Sequence, residues 1–124
     1  MDEFGIIDCF FKSISSNRSN LVKRTIGDDA AIVQVPPENE LVISTDTMVQ
    51  GIHFLEDWSA DVIAYKALAS NVSDIAAMAA VPKWCSLALT LPNLNKKWLG
   101  DFSKGLKTSR AALLATKTCS SFIL

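Results

Sequence analysis

Apolar residues recur at spacings of three and four near the start of the chain. Phe4, Ile7, Phe11 and Ile14 would share one face of an amphipathic helix over residues 3–15. The polar run 15–20, Ser-Ser-Asn-Arg-Ser-Asn, ends that pattern and reads as an exposed loop. Residues 30–35 form a short apolar run stopped by Pro36 and Pro37, which predicts a buried strand. A turn through Asn39 leads to a second predicted strand at 41–45, and residues 51–54 are a candidate third. Residues 60–80 hold eight alanines together with Val62, Ile63, Leu68, Val72, Ile75 and Met78, and no Gly or Pro. This composition predicts a helix, with Ser59 as N-cap, Asp61 at the positive end of its dipole, and Pro82 closing it. Its small side chains would let another backbone approach closely. Residues 84–91 read as a further buried strand ended by Pro92. A last helix is expected from about Asn95, with Trp98, Phe102, Leu106 and Leu113 at helical spacing, although Gly100 and Gly105 work against it. Helix, strand, strand, helix, strand, helix is the order of an α/β or α+β domain.

Composition narrows the picture. With 124 residues, 49% apolar and 20% charged, the chain suits one globular domain. Its formal net charge of −1 averages two unlike parts. Residues 1–95 carry twelve acids against six bases, and residues 96–124 carry one acid against six bases. That split argues against a uniformly basic nucleic-acid binder, and no stripe of Arg, Lys and aromatics supports one. No apolar run approaches the roughly 20 residues that span a bilayer. The acidic Met1-Asp2-Glu3 opening is unlike a secretory signal, so a cytoplasmic location is expected. Cys9, Cys85 and Cys119 are widely spaced among apolar neighbours and read as small buried hydrophobes. One histidine and no C-x-x-C pair leave little for zinc, so any metal would be oxygen-liganded.

Four acids stand out from the solvated ones. Asp28 and Asp29 run directly into the apolar segment 30–35, Asp46 ends the segment 41–45, and Asp74 lies inside the alanine-rich helix. A carboxylate beside buried strands must be paired, hydrogen-bonded or bound to a metal. Adjacent acids repel unless a cation is near, and only Lys23, Arg24 and Lys66 are local. Oxygen ligands at strand ends and on one helix suit Mg²⁺ with phosphate oxygens, and Ser44 and Thr45 add oxygens at the same corner. Ordinary alternatives stand beside this: a Gly-Asp-Asp turn, a strand-end cap at Asp46, and a solvent-facing Asp74. His53, between Ile52 and Phe54, is by itself an ordinary hydrogen-bonded histidine. No G-x-x-x-x-G-K-[ST] or G-x-G-x-x-G loop is present.

Taken together, four stretches resemble one family. Ile26-Gly27-Asp28-Asp29-Ala30-Ala31, Ile43-Ser44-Thr45-Asp46-Thr47-Met48-Val49, Gly51-Ile52-His53-Phe54, and the helix segment from Ala64-Tyr65-Lys66 to Ile75-Ala76-Ala77-Met78 look like thiamine-monophosphate kinase. The resemblance covers roughly residues 3–106. Gly-Asp-Asp occurs across a wider superfamily that includes aminoimidazole-ribotide synthetase, selenophosphate synthetase and hydrogenase-maturation proteins. Ser-Thr-Asp-Thr followed by Gly-x-His-Phe favours the thiamine-phosphate branch. The resemblance implies the N-terminal domain of an aminoimidazole-ribotide synthetase-like fold, with a mixed sheet and flanking helices. It implies transfer of the ATP γ-phosphoryl group to thiamine monophosphate, giving thiamine diphosphate, and a homodimer formed through this domain. Carried over by position, Asp29, Ser44, Thr45, Asp46 and Asp74 would ligate Mg²⁺ and His53 would contact the thiamine phosphate. The carried-over roles include no nucleophile or general base.

The chain departs from the family after Leu106. Family members continue into a strand ending in Gly-Gly-Asp-Thr and then a second domain, whereas residues 107–124 do not align with either. The division expected is therefore an incomplete kinase N-terminal domain at 1–106 and an unrelated tail at 107–124. That tail is either a shifted reading frame or a genuine basic extension that continues the helix on Leu106 and Leu113. On this reading the chain is truncated and has little kinase activity. The alternatives are a non-catalytic fragment that binds Mg²⁺ and dimerises, or another ATP-using member of the superfamily.

Overall fold

The computed structural model describes residues 1–14, 20–113 and the backbone of 121–123. Cys119 and the loop at 15–19 lie outside the described residues. The order of elements is α1 (Glu3–Ile6), a π-type turn (Ile7–Phe11), β1 (Val22–Arg24), β2 (Ile32–Val33), α2 (Ala60–Ala77), β3 (Trp84–Ser86), α3 (Lys96–Leu113) and β4 (Ser121–Ile123). This is an α+β arrangement. Its sheet is in two small pieces among the described residues: β1 with β2 antiparallel, and β3 with β4 parallel.

The core is helical. Along α2, Ala60, Ile63, Ala64 and Leu68 are buried, the three-and-four spacing of one helix face. They meet Leu99, Phe102 and Leu106 of α3, which bury at the same spacing, and Trp98 stacks on Phe102 with centroids 4.9 Å apart. Asn95 starts α3 by accepting the Trp98 N–H at 3.0 Å, so the predicted start holds. Gly105 is buried where the two helices touch. A Cβ there would lie 2.5 Å from the Asp61 Cα and 2.9 Å from its carbonyl oxygen. The glycine that weakened the prediction of α3 is what lets α3 approach the α2 backbone.

The first helix differs from its predicted form. The Lys12 N–H donates to the Ile7 carbonyl at 2.9 Å, a five-residue step that widens the turn. Widening rotates the inner face, so Ile6, Phe10, Phe11 and Ile14 pack on the core while Phe4 is 71% exposed. Cys9, read as buried, is exposed on the outer side of this turn. Ser103 Oγ donates to the Phe10 carbonyl, and Arg110 Nη1 donates to the Ile14 carbonyl at 2.8 Å. Both bonds tie α3 to the N-terminal segment. The position 106/107 falls inside α3, whose Ser109 is buried and whose Leu113 packs against the core.

The predicted strands are where the expectation fails. Segment 30–35 contributes only the two residues of β2, with Ile32 49% exposed. Segment 41–45 has no paired strand, and Ile43 is 76% exposed. Residues 51–53 form a turn, closed by a single bridge between Gln50 and Phe54. Segment 84–91 is strand only over β3, after which Leu87 and Leu91 pack against the helical core. Apolar runs become buried strands only when neighbouring strands and a covering layer are present. Here the two long helices take the core instead.

Helix α2 ends in a Schellman turn. The Ala80 N–H donates to the Ile75 carbonyl and the Ala79 N–H to the Ala76 carbonyl, with Ala79 at φ 54. An L-residue with a side chain is strained there, and glycine is not. Ala79→Gly is therefore expected to raise unfolding stability by about 0.5–1 kcal/mol, measured by urea denaturation. Gly105→Ala should do the reverse. Helix propensity alone predicts a gain of about 1 kcal/mol, whereas the clash with Asp61 predicts a net loss of about 1–3 kcal/mol. A stabilised Gly105→Ala variant would contradict the close crossing.

Candidate metal and phosphate site

The glycine-acid motif forms a compact exposed turn. Gly27 takes φ 103, a conformation open to glycine, and sets Asp28 back toward Arg24. Arg24 Nη1 donates to Asp28 Oδ2, and the Asp29 N–H donates to Asp28 Oδ1 at 3.0 Å. Asp28 and Asp29 are both exposed. The Asp28 carboxyl is held below the ordinary value of 3.8, first by the Asp29 N–H and then by the Arg24 guanidinium. Two sequence expectations are corrected here. The acids do not border buried strands, because the adjoining segment is itself exposed, and Arg24 does supply the nearby cation.

Ser44 Oγ donates to Asp74 Oδ2 at 3.2 Å, joining the extended segment 41–48 to α2 across thirty positions of sequence. Of the proposed Mg²⁺ ligands, these two are brought into contact. Thr45 and Asp46 follow Ser44 directly and are exposed, as is Asp74. Asp29 is fixed through its backbone rather than through its carboxylate.

His53 sits on a tight turn over 49–54. Gly51, at φ 82, donates its N–H to the Phe54 carbonyl at 2.7 Å, and the Ile52 and His53 N–H groups both donate to the Val49 carbonyl. The Val49 N–H in return donates to His53 Nδ1 at 2.9 Å. Lys66, the half-exposed seventh residue of α2, donates from Nζ to the His53 carbonyl and lies 5.2 Å from the centre of the Trp58 ring. Lys66 and Trp58 were not among the residues nominated from sequence. Lys66 stands in the helix motif and among the local bases, Trp58 in no motif, and their link to His53 exists only in three dimensions.

Two open concavities of about 490 Å³ lie elsewhere. One, between α2 and α3, includes Asp61, Tyr65, Asp101 and Lys104, and the other lies between the N-terminal segment and residues 87–94. Neither contains a nominated site residue. Among the described residues no three His, Cys, Asp or Glu side chains gather closely enough to hold a metal by themselves. The donor chemistry nevertheless fits Mg²⁺. That ion takes hard oxygens, uses one or two carboxylates, and completes its shell with waters and phosphate oxygens. No helix among the described residues is long and apolar enough to cross a membrane.

With this geometry in hand, comparison with known proteins is informative. A profile of the family described as AIR synthase related protein, N-terminal domain, matches residues 27–115. The chain belongs to this family. It is 49% identical over 106 residues to thiamine-monophosphate kinase of Haemophilus influenzae, covering 86% of this chain and 32% of that protein. The Escherichia coli K12 thiamine-monophosphate kinase is also 49% identical, over 104 residues. The crystal structure of thiamine-monophosphate kinase from Stenotrophomonas maltophilia K279a superposes with a TM-score of 0.72 at 38% identity, over 86% of this chain and 32% of that one. The chain thus spans about a third of the length of the relatives it matches.

The Asp28 turn can be tested by titration. Its carboxyl midpoint, followed by NMR, should fall below 3.8. Because the Asp29 N–H remains when Arg24 is replaced and is the largest single cause, Arg24→Gln should return it only part of the way, and full return would contradict the turn. The sign follows from the depressed value. The interaction stabilises the fold above the unfolded pKa and is lost as pH falls through the lower, folded one.

Proposed function

We propose that this chain is the metal-corner third of an ATP-dependent thiamine-monophosphate kinase, the enzyme that converts thiamine monophosphate to thiamine diphosphate. The observation that carries this reading is the Ser44–Asp74 contact, which joins two motif segments far apart in sequence. Support also comes from relatives at 49% identity that carry that name. In this reading residues 1–106 are kinase N-terminal sequence, ATP and thiamine monophosphate are the substrates, and the working form is a homodimer in the cytoplasm.

Asp29, Ser44, Thr45, Asp46 and Asp74 would hold Mg²⁺, and His53 would contact the thiamine phosphate. Bound there, Mg²⁺ would neutralise phosphate charge, which is much of what phosphoryl transfer requires. The chain's own residues do the positioning. Asp74 accepts from Ser44, which holds the 44–46 segment against α2. Exposed acids leave room for waters and phosphate oxygens in the remaining ligand positions. The chain spans about a third of the length of its relatives, and in this reading it supplies the Mg²⁺-binding part of the enzyme, with little turnover expected of these 124 residues by themselves.

The test is direct. Mg²⁺ added to the isotope-labelled chain should shift the amides of residues 44–46 and 74, and Asp46→Asn should suppress those shifts. Thiamine diphosphate formation by the isolated chain with ATP should run about 100-fold or more below that of a full-length relative, as expected when reactants are imperfectly placed. Full turnover by the isolated chain would refute the fragment reading. Mg²⁺ shifts that survive Asp46→Asn unchanged would refute its metal role.

A further inference from the structure

We propose that Lys66 is the positioning residue for His53, holding its turn so that a neutral imidazole offers Nε2–H to a phosphate oxygen. The proposal rests on the reading of His53 as the phosphate contact and adds the device that aims it.

Three observations converge. First, His53 Nδ1 accepts the Val49 N–H at 2.9 Å, so this nitrogen carries no proton. A neutral imidazole then has its proton on Nε2, making that atom a donor. His53 is exposed, so the donor is open to an incoming ligand. Second, the ring is held from inside a short turn that depends on Gly51 at φ 82 and on two N–H groups sharing the Val49 carbonyl. Phe54 seats one end of the turn against the core, while Ile52 at 76% and Leu55 at 59% exposure leave the rest of it outside the core. Third, Lys66 reaches from α2 to the His53 carbonyl while its ammonium rests on the Trp58 face. Its bond is charge-assisted and is made to the backbone of the residue that must be aimed. The α2 helix is anchored by the buried Ile63, Ala64 and Leu68 on its other face, so the turn is tied to a rigid element.

Lys66 thus has no need to touch the ligand. It fixes the His53 carbonyl, the Val49 N–H fixes the ring, and the remaining ring nitrogen of this exposed residue is left as the donor. A phosphate monoester oxygen is the chemical class this arrangement suits: an anionic acceptor met by a neutral donor, with cationic Lys66 close by to favour negative charge.

His53 is the only histidine in the chain, so its ring nitrogens give one unambiguous NMR pattern. In the 15N-labelled full 124-residue chain at alkaline pH, that pattern should show protonated Nε2 and bare Nδ1. A protonated Nδ1 would overturn the proposal. Lys66→Met should speed exchange of the Val49 amide by about tenfold or more, the loss of one charge-assisted hydrogen bond, while Leu68 and Leu99 amides keep their rates. Lys66→Arg, which also donates, should restore protection. Unchanged Val49 exchange in Lys66→Met, equal acceleration in the helices, or no rescue by arginine would each refute the positioning role. Addition of thiamine monophosphate should then shift the Nε2 signal. A missing shift with Val49 protection behaving as expected would refute the phosphate reading of His53 and leave the anchoring role of Lys66 standing.

Discussion

Everything in this molecule hangs on the approach of α3 to the α2 backbone at Gly105. A side chain at that position would overlap Asp61, so the two helices can be this close only because glycine is there. Closeness lets Ile63 and Leu68 pack with Leu99, Phe102 and Leu106 in one buried cluster, and each such burial contributes about 1.5–3 kcal/mol. The N-terminal segment is then added through Phe11 and Ile14, and two α3 side chains donate to its Phe10 and Ile14 carbonyls. With α2 fixed against the core in this way, the helix becomes a ruler. Lys66 holds the His53 turn and Asp74 holds the Ser44 segment, eight residues and so about 12 Å apart along the axis. The positions of both motif segments are inherited from the helix pair.

The helices were legible in the sequence and the strands only in part, at 32–33 and 84–86, for one physical reason. A helix satisfies its backbone within itself, so its spacing and caps are local information. The alanine-rich run, the Asn95 start and the Phe102–Leu106 spacing all carry that information, although the fully buried Leu99 was not among the positions named from the sequence. A strand is satisfied by its neighbours. The runs at 30–35 and 41–45 have strand composition, yet their ladders depend on partners that local pattern cannot supply. The N-terminal helix shows a smaller failure of the same kind. Its three-and-four pattern was real, but one widened turn moved the buried set from Phe4 and Ile7 to Ile6 and Phe10.

The site divides along the same line. Gly27, Asp28, Asp29 and the 44–46 segment were found from motif and from carboxylates in unusual places, although the premise of burial was wrong. What the motif could not carry is pairing across space: Arg24 with Asp28, Ser44 with Asp74, and Lys66 with His53. Arg24 and Lys66 were visible as the local bases, but sequence offers no rule for choosing their partners.

Exposure of the acids has a chemical consequence for the proposed reaction. Carboxylates in water attract a cation weakly, because solvent screens them and the ion's own hydration is strong. In the proposed function, exposed Asp29, Asp46 and Asp74 would each attract Mg²⁺ only weakly, and phosphate oxygens would have to complete the shell. Metal and nucleotide binding would then be coupled, each raising the affinity for the other by the same factor. The same logic explains why twelve acids against six bases in residues 1–95 are tolerable in a small domain. Charges left in solvent cost little on folding and remain available as ligands, and the apolar work of folding is done by the helices behind them.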